Sequence, residues 1–166
     1  MMKQILIITL FLFSLFSVSA QSDTMAAPYI RFPLFPPVKL LKPDSASYFT
    51  KADLPKNKAS MVMLFNPACD HCQKETEDIT KNIEQFKNIH IVMATMMPFD
   101  SMMVFRERYK LSEFKNITVG VDKAYFLSTF YMVRFLPFIA LYDKKGKLIT
   151  QFEGSVKLED ILKAFK

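Results

Sequence analysis

Two cysteines, the only two in the chain, stand between an apolar segment and an amphipathic one. Ser60–Phe65 is apolar on both faces, as expected of a strand buried in the middle of a sheet. After Cys72, apolar residues recur at spacings of four and three up to residue 86, which predicts a helix over residues 72–86. A C-x-x-C motif (Cys69, Cys72) where a buried strand passes into a helix is the arrangement that dithiol–disulfide exchange requires.

The first 20 residues are typical of a secretory signal peptide. Lys3 supplies a positive charge, Ile5–Phe13 is almost continuously apolar, and Val18–Ala20 offers small residues before Gln21. An uncleaved membrane anchor is the alternative, but serines interrupt the apolar run, which is shorter than the roughly 20 residues of a spanning helix. We therefore expect a signal peptide at residues 1–20, export to the bacterial periplasm, and no stable membrane insertion after cleavage.

Length and composition indicate a single domain. Removing 20 residues from 166 leaves 146, enough for one full hydrophobic core. The net charge of +6 falls to about +5 without Lys3, and the remaining cations are spread along the chain. Nucleic-acid binding would need a basic stripe interleaved with exposed aromatic side chains, so we expect no nucleic-acid partner. The 17 Phe, 6 Tyr and 0 Trp instead indicate a core filled by medium-sized rings.

The rest of the chain alternates predicted strands with predicted helices. Residues 21–37 contain Pro33, Pro36 and Pro37, which exclude helix and disfavour a central strand, so we expect an irregular or edge segment. A hairpin of residues 138–142 and 147–152 is predicted near the C-terminus. The other predicted strands are 38–41, 47–50, 89–94 and 118–121, and the other predicted helices are 101–109 capped by Asp100, 123–133 started by Asp122, and 156–165.

This order of elements predicts an α/β fold in which helices cover a mixed sheet. From about Val38 to Lys166 the chain resembles thioredoxin-fold proteins, most of all the exported TlpA/ResA-like (redoxin) group. The residues that carry the resemblance are the strand Ser60–Phe65, the pair Cys69 and Cys72, Leu136-Pro137 immediately before the hairpin, and Asp143 and Gly146 in its turn. The resemblance implies a thioredoxin-like domain over residues 38–166 and thiol–disulfide oxidoreductase activity.

The position of each cysteine predicts its role. A thiolate attacks a disulfide, and a helix start favours an anion through its unpaired backbone N–H groups and the positive end of the helix dipole. Cys69 is therefore the predicted nucleophile, and Cys72, about one turn later, is predicted to resolve the mixed disulfide. Asp70 disfavours a second negative charge on Cys69, whereas a protonated or hydrogen-bond-donating His71 favours it, so we assign His71 a tuning role.

Leu136-Pro137 is the third element of the predicted site. In the family that the chain resembles, the matching proline is cis and faces the disulfide, which turns the backbone of the preceding residue outward. Leu136 is then placed to pair with an extended segment of the substrate, and its apolar side chain favours apolar contact. The resemblance thus implies that Leu136 and Pro137 bind the substrate.

Two positions depart from the family pattern. The residues directly before the first cysteine lack the usual aromatic side chain, and Met63 stands where many thioredoxins carry a buried acid on the central strand. The proton of Cys72 therefore has no assigned acceptor. Glu75, Glu77 and His71 are candidates, but acids in a first helical turn more often serve as capping and dipole partners.

Metal binding and peroxidase chemistry are the alternatives. Met93, Met96 and Met97 offer thioethers that suit Cu(I) together with the cysteines, so a non-enzymatic copper-binding or copper-delivery module is the main alternative, although such methionines usually fill a core. Structural zinc would need His90, from a separate strand, beside the C-x-x-C motif and His71. The Pro-x-x-x-Thr-x-x-Cys pattern of peroxidatic cysteines is absent from the sequence.

We therefore expect a monomeric, cofactor-free thiol–disulfide oxidoreductase that exchanges its cysteine pair with protein thiols and disulfides. The fold pattern favours the reductase or isomerase direction, whereas a histidine before the second cysteine resembles the more oxidising members. An upstream membrane or periplasmic redox donor is the expected partner. The sequence leaves the physiological substrate open.

Overall fold

The computed structural model describes residues 26–166, so the predicted signal peptide at residues 1–20 lies outside the described residues. The strands are β1 Lys39–Leu41, β2 Tyr48–Thr50, β3 Ala59–Leu64, β4 Ile89–Thr95, β5 Ile117–Val121, β6 Phe138–Tyr142 and β7 Leu148–Glu153. The α-helices are α1 Pro28–Arg31, α2 Asp70–Lys81, α3 Phe99–Arg108, α4 Phe126–Tyr131 and α5 Leu158–Ala164. Short 3-10 helices occupy Lys51–Asp53, Ile83–Phe86 and Leu111–Glu113. Within residues 26–166, each helix is too short or too polar to cross a membrane.

The strands form one mixed sheet in the order β2-β1-β5-β4-β3-β6-β7. β3 pairs in parallel with β4, and β4 in parallel with β5, whereas β6 is antiparallel to both β3 and β7. β3 therefore has a neighbour on each side, and all of its residues are buried. Burial on both faces explains its continuous apolar sequence and confirms the predicted α/β fold with a mixed sheet.

Alternate residues of β3 point into two apolar clusters, one on each face of the sheet. Met61 and Met63 join the cluster that α2, α3 and α5 cover. Val62 and Leu64 join the cluster that α4 and residues 27–38 cover. With both faces covered, the carboxyl end of β3 is left as the place where the chain turns into α2.

The N-terminal segment differs from the expectation that its prolines exclude helix. Pro28–Arg31 forms a single helical turn. A proline is tolerated in the first turn of a helix, because the backbone N–H that it lacks would be unpaired there and because its φ is already helical. The helix-breaking prolines come after this turn. Beyond it, Leu34 makes an isolated antiparallel bridge with Lys147, so this part is an edge segment as predicted.

The boundaries of α2 and α3 differ from the predicted ones. α2 ends at residue 81, and a 3-10 helix follows Asn82, whose side chain donates a hydrogen bond to the Asp78 carbonyl oxygen at 2.9 Å. α3 begins two residues earlier than predicted and has Pro98 as its N-cap, so the prediction that Asp100 caps this helix is wrong. Asp100 instead lies in the first turn of α3, where an acid favours the helix dipole.

α4 and α5 are shorter than predicted. α4 spans six residues, because Tyr125 and Met132 at its two ends adopt the left-handed conformation and stop the helix there. Asp122 still supports the helix start from a distance, since its Oδ2 accepts the Leu127 N–H at 2.7 Å. α5 spans residues 158–164 instead of the predicted 156–165. Propensity and periodicity locate both helices but not their ends.

Candidate active site

The first cysteine lies in the loop that carries the chain from β3 into α2. Cys69 is the N-cap residue of α2, and its N–H donates to the Asn66 carbonyl oxygen at 3.0 Å. The Asn66 side-chain oxygen accepts the Ala68 N–H at 2.9 Å, so Asn66 braces the turn through two groups. Cys69 is half-buried, and it stands at the positive end of a 12-residue helix.

The second cysteine lies in the first turn of α2 and is fully buried. Burial raises the pKa of the Cys72 thiol to about 12, a backbone hydrogen bond with Asn66 opposes this rise, and a hydrogen bond with the Cys69 side chain adds to it. Both residues are free cysteines. The two side chains therefore lie within hydrogen-bonding reach of each other, one partly exposed and one enclosed.

Leu136 and Pro137 lie beside the cysteine loop, where the chain enters β6. The peptide bond between them is cis. The Cys69 sulfur lies 4.0 Å from the Leu136 carbonyl oxygen. Pro137 is buried and Leu136 is half-buried. The fold therefore brings both cysteines, Leu136 and Pro137 together, although Leu136 follows Cys69 by 67 positions in the sequence.

His71 lies between the two cysteines and is exposed. Its Nδ1 is 2.9 Å from the Ser155 hydroxyl oxygen, which belongs to the connection between β7 and α5. This hydrogen bond fixes the orientation of the imidazole ring at the mouth of the site. Ser155 was missed by the sequence analysis, because it follows His71 by 84 positions and belongs to no local motif.

A buried carboxyl group lies one turn after Cys72. Glu75 is 4% exposed, its Oε1 has no hydrogen-bond partner among residues 26–166, and its Oε2 accepts the Val156 N–H at 3.4 Å. Removal from water raises the pKa of Glu75 to about 7, and the Val156 hydrogen bond opposes this rise. The Glu75 carboxylate also raises the pKa of Cys72, so the two groups interact electrostatically.

Helical spacing is the signal that could have singled out Glu75. The buried residues of α2 are Cys72, Glu75, Thr76 and Ile79, which lie on one face of the helix. An acid on the buried face of an amphipathic helix is costly and marks a functional candidate. The capping or dipole role that the sequence favoured does not fit this burial. Glu77 does fit a surface role, since its Oε1 is 2.6 Å from Lys81 Nζ.

An open cleft flanks the cysteine loop. It has a volume of about 390 Å³, and its walls are formed mainly by Pro67 and Ala68 of the loop and by Met97, Ser101 and Val104 on the other side. Pro67 and Ala68 contribute small side chains to its wall. Met97 and Val104 are exposed, so the cleft presents apolar surface next to Cys69.

Met93 of the copper alternative and His90 of the zinc alternative have other roles in the fold. Met93 is completely buried in the core, which is the packing role expected of methionine. His90 Nε2 is 3.1 Å from the Thr118 hydroxyl oxygen, on the strand pair β4 and β5. Within residues 26–166, no group of three or more His, Cys, Asp and Glu side chains is placed to hold a metal ion. Copper and zinc binding therefore gain no support.

Comparison with solved structures finds the same fold in bacterial proteins. A putative thioredoxin from Neisseria meningitidis matches 77% of this chain and 84% of its own, with 20% identity and a TM-score of 0.64. A secreted Mycobacterium tuberculosis disulfide oxidoreductase homologous to E. coli DsbE matches 77% and 93%, with 17% identity and a TM-score of 0.64. A thiol-disulfide oxidoreductase from Bacteroides fragilis matches 78% and 97%, with 14% identity and a TM-score of 0.64. At these identities the likeness establishes the fold.

The family is established by the sequence itself. None of the curated protein sequences compared with this chain matches it. The family model of the thioredoxin-like domain, however, matches residues 50–166, which include the cysteine loop, the whole of α2 and the hairpin after Pro137. Since this match covers well over half of the chain and agrees with the fold, the chain belongs to the thioredoxin-like domain family.

Proposed function

We propose that this chain is an exported thiol–disulfide oxidoreductase whose Cys69–Cys72 couple exchanges disulfides with protein partners. One observation carries the proposal: a partly exposed cysteine caps a helix, and a buried cysteine lies within hydrogen-bonding reach of it. A redox couple of this kind needs one accessible sulfur and one protected sulfur. Proteins of the same fold that are described as disulfide oxidoreductases support the assignment.

In the reductive direction, the Cys69 thiolate attacks one sulfur of the partner's disulfide. A bond forms between Cys69 and that sulfur, the partner's S–S bond breaks, and the other sulfur leaves as a thiolate. The backbone N–H groups and the dipole at the start of α2 stabilise the attacking anion. Leu136 and Pro137 border Cys69 and provide the surface on which an extended partner segment lies.

Cys72 then resolves the mixed disulfide by attacking the Cys69 sulfur. With its pKa raised to about 12 by burial, Cys72 is a thiol at neutral pH and has to lose a proton in this step. Glu75, buried one turn later with an unpaired oxygen, accepts that proton. The Cys69–partner bond breaks, the partner leaves as a thiolate, and two electrons have passed to it. An upstream redox donor then reduces the Cys69–Cys72 disulfide.

His71 tunes the couple from the mouth of the site. The hydrogen bond to Ser155 holds the imidazole in one orientation beside the start of α2. A protonated imidazole there favours the Cys69 anion, whereas the neighbouring Asp70 carboxylate disfavours it. The balance between these two charges contributes to the potential of the couple.

Export follows from residues 1–20, whose sequence is typical of a signal peptide. One protein of the same fold is described as secreted, which supports the assignment of this chain to the periplasm. The intact mass of the protein recovered from the periplasm is expected to correspond to a chain that begins at Gln21. Recovery of the full-length mass from a membrane fraction would contradict cleavage.

Insulin reduction tests the proposed activity. With dithiothreitol as the electron donor, the chain is expected to speed insulin precipitation several-fold above the rate with dithiothreitol alone. Cys69→Ser is expected to abolish this acceleration, because no other accessible thiol remains. A wild-type rate equal to the dithiothreitol blank, or full activity of Cys69→Ser, would contradict the proposal.

The role of Glu75 is tested on the resolving step alone, by rapid quenching of the mixed disulfide with a model peptide. The rate is expected to rise with pH through about 7, where Glu75 becomes a carboxylate, and to fall on the order of a hundredfold in Glu75→Gln. Glu77→Gln is the matched control, since Glu77 lies on the same helix but is paired with Lys81 at the surface. Equal rates for both variants would remove Glu75 from the mechanism.

A further inference from the structure

A short N-terminal segment presents large apolar side chains to solvent. Ile30, Phe32 and Leu34 are 57%, 61% and 54% exposed. Three such residues within five positions form an unusual surface on a chain whose other large apolar side chains mostly lie in the core. The Arg31 guanidinium lies 5.5 Å from the centre of the Phe32 ring, so a cation and an aromatic ring share this surface.

This segment is held firmly against the sheet. Tyr29 and Phe35, on either side of it, are buried in the core. The Phe35 N–H donates to the Gly146 carbonyl oxygen at 2.7 Å, and the Leu148 N–H donates to the Pro33 carbonyl oxygen at 2.9 Å. The exposed side chains therefore belong to an ordered surface beside the turn between β6 and β7.

The same turn adds positive charge. Lys144, Lys145 and Lys147 are exposed, and Leu34 bridges directly to Lys147. Together with Arg31 they supply four positive charges, and within residues 26–166 none of the four takes part in an ion pair closer than 4.0 Å. Asp143 is the acid of the turn, and its Oδ1 accepts the N–H groups of Lys145 and Lys147. The surface is therefore both apolar and cationic.

We infer that this surface, formed by Ile30, Arg31, Phe32, Leu34, Lys144, Lys145 and Lys147, docks on an anionic lipid bilayer. Apolar side chains that enter the headgroup region, surrounded by cations that pair with anionic lipids, are the two contributions that hold a protein at a bilayer surface.

Docking in this way leaves the cysteines on the other face of the sheet from the lipid. Tyr29 and Phe35 pack into the cluster on one face, whereas Cys69 and Cys72 pack into the cluster on the other. Pro137 precedes β6 beside Cys69, and the turn at residues 143–146 follows β6 at its other end. A five-residue strand separates the two ends by about 17 Å. The lipid-bound domain would therefore hold its redox couple open to partners in the aqueous phase.

Tryptophan fluorescence tests the inference, because the chain contains no tryptophan. Phe32→Trp places a single reporter on the surface, and Val104→Trp places one at a position that is 68% exposed on α3 as the matched control. Each variant, prepared as the mature chain that begins at Gln21, is mixed with vesicles of equal parts phosphatidylglycerol and phosphatidylcholine that carry a nitroxide on the acyl chain. We expect a blue shift and strong quenching at position 32 and neither at position 104. Both variants lack the apolar run Ile5–Phe13, so the contrast reports the surface itself.

Charge reversal separates the cationic contribution. In the Phe32→Trp background, Lys144→Glu with Lys145→Glu is expected to raise the lipid concentration for half-maximal quenching at least about tenfold. Lys123→Glu with Lys157→Glu changes the net charge equally and is expected to stay within about twofold. Three outcomes would overturn the inference. The first is equal quenching at positions 32 and 104, and the second is equal quenching by pure phosphatidylcholine vesicles. The third is a blue shift that depends on protein concentration without lipid, which would indicate self-association.

Discussion

The Cys69 sulfur lies 4.0 Å from the carbonyl oxygen of Leu136. A partner sulfur that bonds to Cys69 must therefore come within a few ångströms of the Leu136 backbone. Leu136 itself packs against the apolar clusters on both faces of the sheet, which holds its backbone in place. The contact links the nucleophile at the start of α2 with the residue before β6, so partner recognition and chemistry take place at one point on the molecule.

The two cysteines are expected to differ sharply in alkylation. In the native, reduced chain, iodoacetamide should modify Cys69, which is half-buried, at least about a hundredfold faster than Cys72, which is buried and has its pKa raised to about 12. Peptide mass mapping after a timed reaction measures the ratio. In guanidinium chloride both cysteines should react alike, and comparable rates in the native protein would contradict the assignment of roles.

Glu75 is expected to make stability depend on pH. Burial raises its pKa from 4.5 to about 7, so the folded state holds the proton more tightly than the unfolded state. Its favourable contribution is complete below pH 4.5 and is lost as the pH rises to about 7. The free energy of unfolding should therefore fall by about 3 kcal/mol over this range relative to Glu75→Gln.

Urea denaturation at a series of pH values measures this difference. Glu77→Gln serves as the control, because an exposed ion pair adds little to stability. Its stability should follow the wild-type curve over the whole range. Parallel curves for the wild type and Glu75→Gln would show that Glu75 is not buried as described.

A buried pair of tyrosines gives a prediction about the core. The Tyr131 and Tyr142 hydroxyl oxygens lie 2.7 Å apart, and both side chains are almost fully buried. Tyr142→Phe leaves the Tyr131 hydroxyl without this partner and is expected to cost about 1–3 kcal/mol, as is Tyr131→Phe. The double variant removes both polar groups and should cost clearly less than the sum. Additive losses in urea denaturation would contradict a direct hydrogen bond.

The sheet could be predicted from the sequence because its inner strands are buried on both faces. β3, β4 and β6 are mostly apolar, and the structure places all three next to one another. Helix ends could not be predicted in the same way. α4 stops where Met132 takes a left-handed conformation, which no helix-breaking residue type signals.

In the candidate site, too, some residues could be predicted from the local sequence and others could not. Cys69 and Cys72 are recognisable from local spacing, whereas the His71–Ser155 hydrogen bond joins residues 84 positions apart and depends on how β7 leads into α5. Glu75 is a candidate proton acceptor from the sequence, where a capping or dipole role is favoured. Its burial depends on the packing of the β7–α5 connection, from which Val156 donates its N–H. Long-range packing, which periodicity does not encode, therefore decides the supporting residues.

Trapping of partners by Cys72→Ser in the exporting cell tests the central claim most directly. Without the resolving sulfur, a partner attacked by Cys69 should remain attached, so non-reducing gels should show adducts that dithiothreitol releases. Mass spectrometry should locate the linkage at Cys69, and the variant that also carries Cys69→Ser should form none. Disulfide adducts through Cys69 are the predicted result; a Cys72→Ser chain that is folded and exported yet forms no adducts would contradict the account.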